Sequence, residues 1–188
     1  MKNSRRKYIK IIFITLLLFV FLISGCSKKV EVSEEFDYDG ELKGNLANGQ
    51  GTLYKDGKLI YEGQFADGKI HGQGKFYENG VLKYEGEIKD TIPLGEGTIY
   101  SKAGKKLFAG TITENDGTNY KGTGRVFNEN EEPVYEGDIV VKGEEMEFAG
   151  TGKILYPNGN VFYEGEIKEG MPADNGTYYD SEGKEINK

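Results

Sequence analysis

Cysteine, histidine and tryptophan are almost absent from this chain. Of its 188 residues, one is cysteine, one is histidine and none is tryptophan. A single cysteine excludes an intrachain disulfide and any metal cluster built on several cysteines. A lone histidine makes a poor metal site, and this one has no matching nucleophile. The sequence therefore predicts no catalytic residue, no metal and no cofactor.

The chain after residue 35 also lacks the 3.6-residue apolar period that is typical of an amphipathic helix. It is instead rich in glycine, with 28 in the sequence, and Asn-Gly or Asp-Gly pairs separate short apolar segments. Such pairs tolerate the positive φ of a tight turn and are the strongest short-range hairpin signals. They occur at Asp56-Gly57, Asn79-Gly80 and Asn158-Gly159. We therefore predict an all-β fold in which helix is nearly absent.

One long apolar run is present, and it lies near the N-terminus. Basic residues between Lys2 and Lys10 precede an uncharged run from Ile11 to Ile23, which ends in the small residues before Cys26. This is the layout of a secretory signal peptide, and the run is shorter than the about 20 residues that span a bilayer. Its end resembles a bacterial lipobox, which implies a diacylglyceryl group on Cys26 and cleavage before it. An uncleaved signal anchor is the alternative.

These features predict three segments: a lipoprotein signal peptide at 1–25, a lipidated cysteine with a flexible tether at 26–35, and a repeat domain at 36–188. Two acyl chains on Cys26 would hold the protein firmly, because each buried methylene contributes about 0.8 kcal/mol to membrane binding. The predicted location is the extracytoplasmic face of the cell membrane, to which the lipid attaches the protein.

Charge argues against nucleic acid as a partner. All 31 acidic residues follow Cys26, whereas five of the 24 lysines and arginines precede it, so the chain from Cys26 onward has a net charge of 19 − 31 = −12. A surface this acidic is repelled by phosphate backbones and by anionic lipid head groups. We expect no nucleic-acid binding and no binding of anionic phospholipids through the repeat domain.

The repeat domain is built on one recurring unit. An aromatic residue followed by an acidic residue or alanine and then glycine opens each of six copies, which start at spacings of 23, 23, 24, 27 and 28 residues. A glycine pair follows within each of the first five copies, and a fixed period in this range indicates a repeat architecture. The structural positions predicted from this pattern are Tyr38, Gly40, Tyr61, Gly63, Gly72, Gly74, Tyr84, Gly86, Gly95, Gly97, Phe108, Gly110, Tyr135, Gly137, Tyr163 and Gly165.

The unit Tyr61 to Gly80, with Tyr-Glu-Gly, a later His-Gly-x-Gly and an Asn-Gly turn, resembles the MORN repeat. The resemblance covers about residues 38–183 and implies an elongated antiparallel meander of about six hairpins, or about twelve strands. Apolar residues stand where the family pattern has tryptophan, namely Leu42, Phe65, Ile88, Ile112, Ile139 and Ile167. The extra residues of the copies at Phe108 and Tyr135 are expected in loops, where insertions cost little.

Strand alternation places the aromatic and apolar positions on one face and the acidic pairs, such as Asp39/Glu41 and Glu85/Glu87, on the other. The acidic pairs recur regularly, which favours a solvated face over a calcium or catalytic site. We assign the glycine pairs to hairpin flexibility, because a phosphate-binding loop needs a following helix. His71 is expected in a loop with a structural role.

The predicted function is a non-catalytic, membrane-anchored binding or scaffolding protein. An apolar sheet face without covering helices must curl until its rings stack or else pair with a partner, so we expect this face to hold an unknown protein or peptide. A homo-oligomer through the apolar face or the edge strands is a further expectation. The alternatives are an immunity or antitoxin-like protein, implied by related repeats in bacterial antitoxins, and phospholipid head-group binding, which is implied by the MORN resemblance.

Overall fold

The computed structural model describes residues 36–142 and 145–186, and these residues contain no helix. They form fourteen β-strands in one antiparallel sheet, in which nearly every strand pairs with its neighbours in the sequence. The all-β prediction is confirmed. The predicted signal peptide, Cys26 and the tether lie outside the described residues.

The fourteen strands follow one another along the chain. Their bounds are β1 Phe36–Lys43, β2 Leu46–Lys55, β3 Lys58–Ala66, β4 Lys69–Glu78, β5 Val81–Lys89, β6 Ile92–Tyr100, β7 Lys106–Asn115, β8 Asn119–Phe127, β9 Pro133–Lys142, β10 Glu145–Leu155, β11 Val161–Lys168, β12 Met171–Pro172, β13 Thr177–Tyr179 and β14 Glu185–Ile186.

The C-terminal end differs from the expected twelve strands. Strand β11 pairs with β12 near Ile167 and with β13 near Tyr163, so the last hairpin has a second strand that is broken in two. The chain then adds the short strand β14 beside β13. Among the described residues, the sheet therefore ends in three short segments.

The two longer repeats also differ from the expectation. Their extra residues do not form loops but lengthen the strands, since Asn115 pairs with Tyr120 in one hairpin and Val141 pairs with Met146 in the other. Tyr120 also pairs with Val141, which joins the two extensions. Val141 is buried, and Tyr120 and Met146 pack against the core. The insertions are thus hydrogen-bonded sheet whose apolar side chains extend the core.

The core lies on the face that carries the repeat aromatics. Each ring lies over a pair of glycines on two adjacent strands, as Tyr61 lies over Gly63 and Gly74, which are paired in register. A Cβ built on Gly74 would stand 2.2 Å from the Tyr61 hydroxyl oxygen. Only glycine leaves room for a ring this close to the sheet, so the aromatic residue and the glycine pair form one structural unit.

Rings of neighbouring hairpins then close the face. Phe65 packs edge-on against Tyr38 and Tyr61, with centroid distances of 4.9 and 5.2 Å, and Tyr135 stacks on Phe148 at 4.0 Å. The side chains of Tyr61, Tyr135 and Tyr163 have no exposed surface. Of the two outcomes predicted for this face, stacking of its own rings is the one found.

Leu42 is an exception to the predicted face. Leu42 is 37% exposed, whereas its equivalents Phe65 and Ile88 are buried, although the same register shift precedes all three. Within residues 36–142 and 145–186, β1 is the edge strand of the sheet, so these residues supply no hairpin on its outer side. The residue at the sheet edge therefore lacks the neighbours that bury the same position in the next two repeats.

Candidate functional site

The sequence-predicted repeat positions lie in or beside the core. Tyr38, Tyr61, Tyr84, Phe108, Tyr135 and Tyr163 are all buried. The glycines that pair beneath these rings are Gly40 with Gly51, Gly63 with Gly74, Gly86 with Gly97, Gly110 with Gly124 and Gly137 with Gly152, while a Cβ on Gly165 would approach Gly176. The face predicted to hold a partner is thus the closed interior of the domain, and its rings are not available as a docking surface.

The remaining predicted glycines, Gly72 and Gly95, have positive φ values of 75° and 105°. A Cβ on either would collide with the side chain three residues after the repeat tyrosine, Gln64 and Glu87 respectively. Gln64 Oε1 also accepts a hydrogen bond of 2.9 Å from the backbone N–H of Gln73. These glycines therefore let a polar side chain fold over the bulged end of the hairpin.

Each core tyrosine also satisfies its hydroxyl inside its own repeat. The hydroxyls of Tyr61, Tyr84 and Tyr163 donate to the carbonyl oxygens of Gln64, Glu87 and Glu166, at 2.9, 2.7 and 2.8 Å. Burial raises the pKa of all three hydroxyls, so they stay protonated and keep donating. This hydrogen bond ties the aromatic residue to the strand end three residues later.

Alkali should unfold the domain. Burial raises the pKa of Tyr120 and Tyr135 to about 12, above the value near 10 of an exposed tyrosine. A group whose folded pKa is raised stabilises the fold fully below about pH 10, and this contribution is lost as the pH rises through 12. Between about pH 10 and pH 12, we expect phenolate absorbance to rise while the β-sheet circular-dichroism signal falls. Complete titration near pH 10 with an intact sheet signal would contradict the burial.

The face opposite the core is open to solvent. Because the strands pair in a repeated register, residues on this face form regular rows across the sheet. Residues at the centre of each strand line up in one transverse row, which we call the charged row. From β1 to β13 it comprises Asp39, Thr52, Glu62, Lys75, Glu85, Thr98, Ala109, Arg125, Glu136, Lys153, Glu164 and Thr177. This row is the structural counterpart of the acidic face that the sequence predicts.

Cross-strand ion pairs join the bases of this row to its acids. Lys75 lies 3.1 Å from Glu85, Arg125 lies 3.0 Å from Glu136, and Lys153 lies 3.2 Å from Glu164. Their side chains are roughly half exposed, so each pair contributes at most about 1 kcal/mol to stability. The pairs organise the charge of the face more than they hold the sheet together.

A second row on the same face was missed by the sequence reasoning. It lies two positions along from the charged row, and we call it the aromatic row: Tyr54, Tyr77, Tyr100, Phe127, Leu155 and Tyr179. All six side chains are partly exposed. Each follows the second glycine of its repeat by three residues, so the period that identified the core could also have identified this row.

Contacts between the two rows support their place on one face. The Tyr100 hydroxyl lies 3.5 Å from Glu85 Oε2. The charges of Glu85 and Lys75 both act on this hydroxyl. Burial raises the pKa of Tyr77, and the negative charge of Glu62 raises it further. The aromatic row therefore stands beside carboxylates and not against the core.

An open groove of about 590 Å³ lies on this face between β1 and β5. Its lining includes the backbone of the paired glycines and the charged row from Asp39 to Glu85. On the open face, the charged row borders the glycine positions on one side, and Gln50 and Gln73 border them on the other. The groove is shallow and open to solvent.

Several other candidates have a plain structural position. His71 is exposed on β4 and does not lie in a loop, because the turn before it is completed by Asp67 and Gly68. In residues 36–142 and 145–186, no group of three or more His, Cys, Asp and Glu side chains is arranged to hold a metal ion. The same residues include no helix with the length and apolar character needed to cross a membrane.

Comparison with protein families supports the repeat assignment. A family model described as the MORN repeat matches residues 38–58, 61–81 and 163–184. The copies between the second and third matches keep the ring, the glycine pair and the strand pairing of the matched ones. No curated protein sequence matches the chain. The match indicates a repeat module of the membrane-binding or protein-binding kind.

Proposed function

Because the chain contains MORN repeats, we propose that they form a non-catalytic binding module for a partner protein, held at the extracytoplasmic face of the cell membrane by a lipid on Cys26. The observation that carries the proposal is the open face, on which partly exposed aromatic side chains stand beside charged ones. Exposed aromatic residues next to polar groups are typical of protein-binding surfaces. This assigns binding to the polar face and withdraws the expectation that the core aromatics bind.

Site-specific photo-crosslinking in intact cells tests the proposal. A photoreactive phenylalanine analogue at Tyr77 should give a discrete crosslinked protein, whereas the same analogue at Glu182, in an exposed turn, should not. A product at both sites would indicate random collision. A Tyr77 product that contains a second copy of the chain alone would indicate self-association, and the absence of any protein product would contradict the proposal.

We predict that Cys26 carries the anchor. It is the sole cysteine and follows the short apolar run. Cys26→Ser should release the chain from the membrane fraction or leave the leader uncut, and it should abolish incorporation of a fatty-acid analogue. Labelling that persists in the serine variant would show that the lipid is elsewhere, and a Ser27→Ala variant is the matched control.

We also predict that residues 36–188, without the anchor, do not bind anionic vesicles at physiological salt. The best basic patch, Lys102, Lys105 and Lys106, has three lysines, fewer than the four to eight of a typical lipid-binding cluster. The ammonium group of Lys105 is bound by the Glu129 carbonyl oxygen at 2.6 Å, and the Glu131 carboxylate accepts a hydrogen bond from the Lys106 backbone. Both contacts bring the patch close to acidic residues.

Co-sedimentation with vesicles that contain anionic lipid is the measurement. Vesicles of neutral lipid provide the baseline, and the expected result is equal, negligible binding to both. Salt-sensitive binding to the anionic vesicles that disappears when the three lysines become alanines would show that the repeats do contact head groups.

A further inference from the structure

We infer that the partner segment held by the open face is a cationic stretch of polyproline II helix that crosses the strands along Tyr54, Tyr77 and Tyr100. This inference rests on the proposed function, because it names the chemistry of the protein that the repeats bind. Three independent features of the face lead to it: the spacing of the aromatic row, its exposure, and the charge around it.

The spacing of the row selects the conformation of the ligand. Members of the aromatic row stand on every second strand, so neighbours are about 9.6 Å apart for strands separated by about 4.8 Å. A polyproline II helix advances about 9.3 Å per three-residue turn, and the same side of the helix therefore meets each ring in succession. In an extended strand, side chains on one side recur every two residues, or about every 6.8 Å. This repeat does not match the spacing of the rings, so the second ring would no longer face an equivalent side chain.

The rings are suited to hold such a helix. Tyr54, Tyr77 and Tyr100 are partly buried, which restricts their motion before a ligand arrives and lowers the entropy lost on binding. Leu59 and Leu82 pair in register with Tyr54 and Tyr77, so apolar surface continues between the rings. Exposed aromatic side chains receive proline rings of polyproline II segments, because such a segment is already extended and loses little entropy on binding.

Charge selects a basic ligand and favours the N-terminal half of the face. At the central positions of β1 to β6, this face has six acidic side chains and one lysine, a net charge of 1 − 6 = −5; the acids are Asp39, Glu41, Glu62, Glu85, Glu87 and Glu96. Glu85 already holds Lys75 at 3.1 Å. At the corresponding positions of β7 to β13, four acids and two bases leave −2, and the row there includes Leu155. Arginine or lysine between the prolines would complement the first half.

The test measures binding of three labelled twelve-residue peptides to the full-length chain in neutral detergent. The first repeats Pro-Pro-Arg, the second repeats Pro-Pro-Glu, and the third repeats Gly-Ser-Arg, which keeps the charge without the polyproline conformation. A twelve-residue helix is about 37 Å long and covers all three tyrosines. We expect the first peptide to bind at least about tenfold more tightly than either of the others, with affinity that falls as salt is added.

Variants separate this docking surface from a general charge effect. Tyr77→Leu removes the flat ring but keeps apolar volume and should weaken the first peptide about tenfold, whereas Tyr77→Phe should retain binding. Leu155→Ala, in the same row but in the less acidic half, is the matched control and should leave affinity unchanged. Circular dichroism of each variant shows whether the sheet is intact.

Equal affinity for the first and third peptides would overturn the inference, because charge alone would then explain binding. Unchanged affinity in Tyr77→Leu would overturn it as well. If no peptide binds while the photoreactive analogue at Tyr77 still captures a protein, the inference fails and the proposed function stands. If the capture also fails, the proposed function fails with it.

Discussion

Replacing Tyr84 with alanine should remove about 3–5 kcal/mol from the free energy of unfolding of residues 36–188, the cost typical of deleting a large buried aromatic ring. Tyr84 is 4% exposed, and its ring lies over Gly86 and Gly97. Its hydroxyl donates a hydrogen bond of 2.7 Å to the Glu87 carbonyl oxygen. The substitution leaves a cavity in the core face of the sheet.

Urea denaturation followed by circular dichroism measures this loss. His71→Ala is the matched control from the adjacent strand, because His71 is exposed and should cost much less when truncated. Tyr84→Phe isolates the hydroxyl and should cost about 1 kcal/mol, the usual contribution of one hydrogen bond. Equal free energies of unfolding for the alanine variants at 84 and 71 would mean that the two faces of the sheet are wrongly assigned.

Gly74→Ala should destabilise the domain by about 2–3 kcal/mol although it adds one methyl group, because that methyl has no space. The added Cβ would stand 2.2 Å from the Tyr61 hydroxyl oxygen and 2.5 Å from Cε2 of the ring. The ring cannot move away freely, since its hydroxyl is bound to the Gln64 carbonyl oxygen at 2.9 Å and the side chain is fully buried. Steric overlap at the ring, and not backbone strain, is the expected cause.

Two further variants identify that cause. Tyr61→Leu combined with Gly74→Ala should be less destabilised than the sum of the single changes, because the smaller side chain makes room for the methyl group. Gly80→Asn is the control for glycine loss in general, since Gly80 has open space and asparagine tolerates its φ of 80°. Additive losses in the double variant would show that the methyl group and the ring do not meet.

Much of the fold could be predicted because its determinants are local and repeated. The period of Tyr38, Tyr61 and Tyr84 predicts one hairpin per repeat, and the MORN resemblance is confirmed for three copies. The turn residues correctly predicted the chain reversals at Asp56-Gly57 and Asn79-Gly80, where all four residues have positive φ. The prediction that His71 lies in a loop was wrong. The two-residue turn Asp67-Gly68 lets β4 begin at Lys69, before His71.

Strand alternation alone determines that Tyr61 and Phe65 share one face while Glu62 and Gln64 share the other, because side chains alternate with a period of two. Which face is closed was decided only by the tertiary structure. Closure requires Phe65 to meet Tyr38 of the previous repeat and each ring to lie over glycines of two strands, and these contacts join residues far apart in the sequence. The same contacts cover the core rings, whereas Tyr54, Tyr77 and Tyr100 on the other face stay partly exposed.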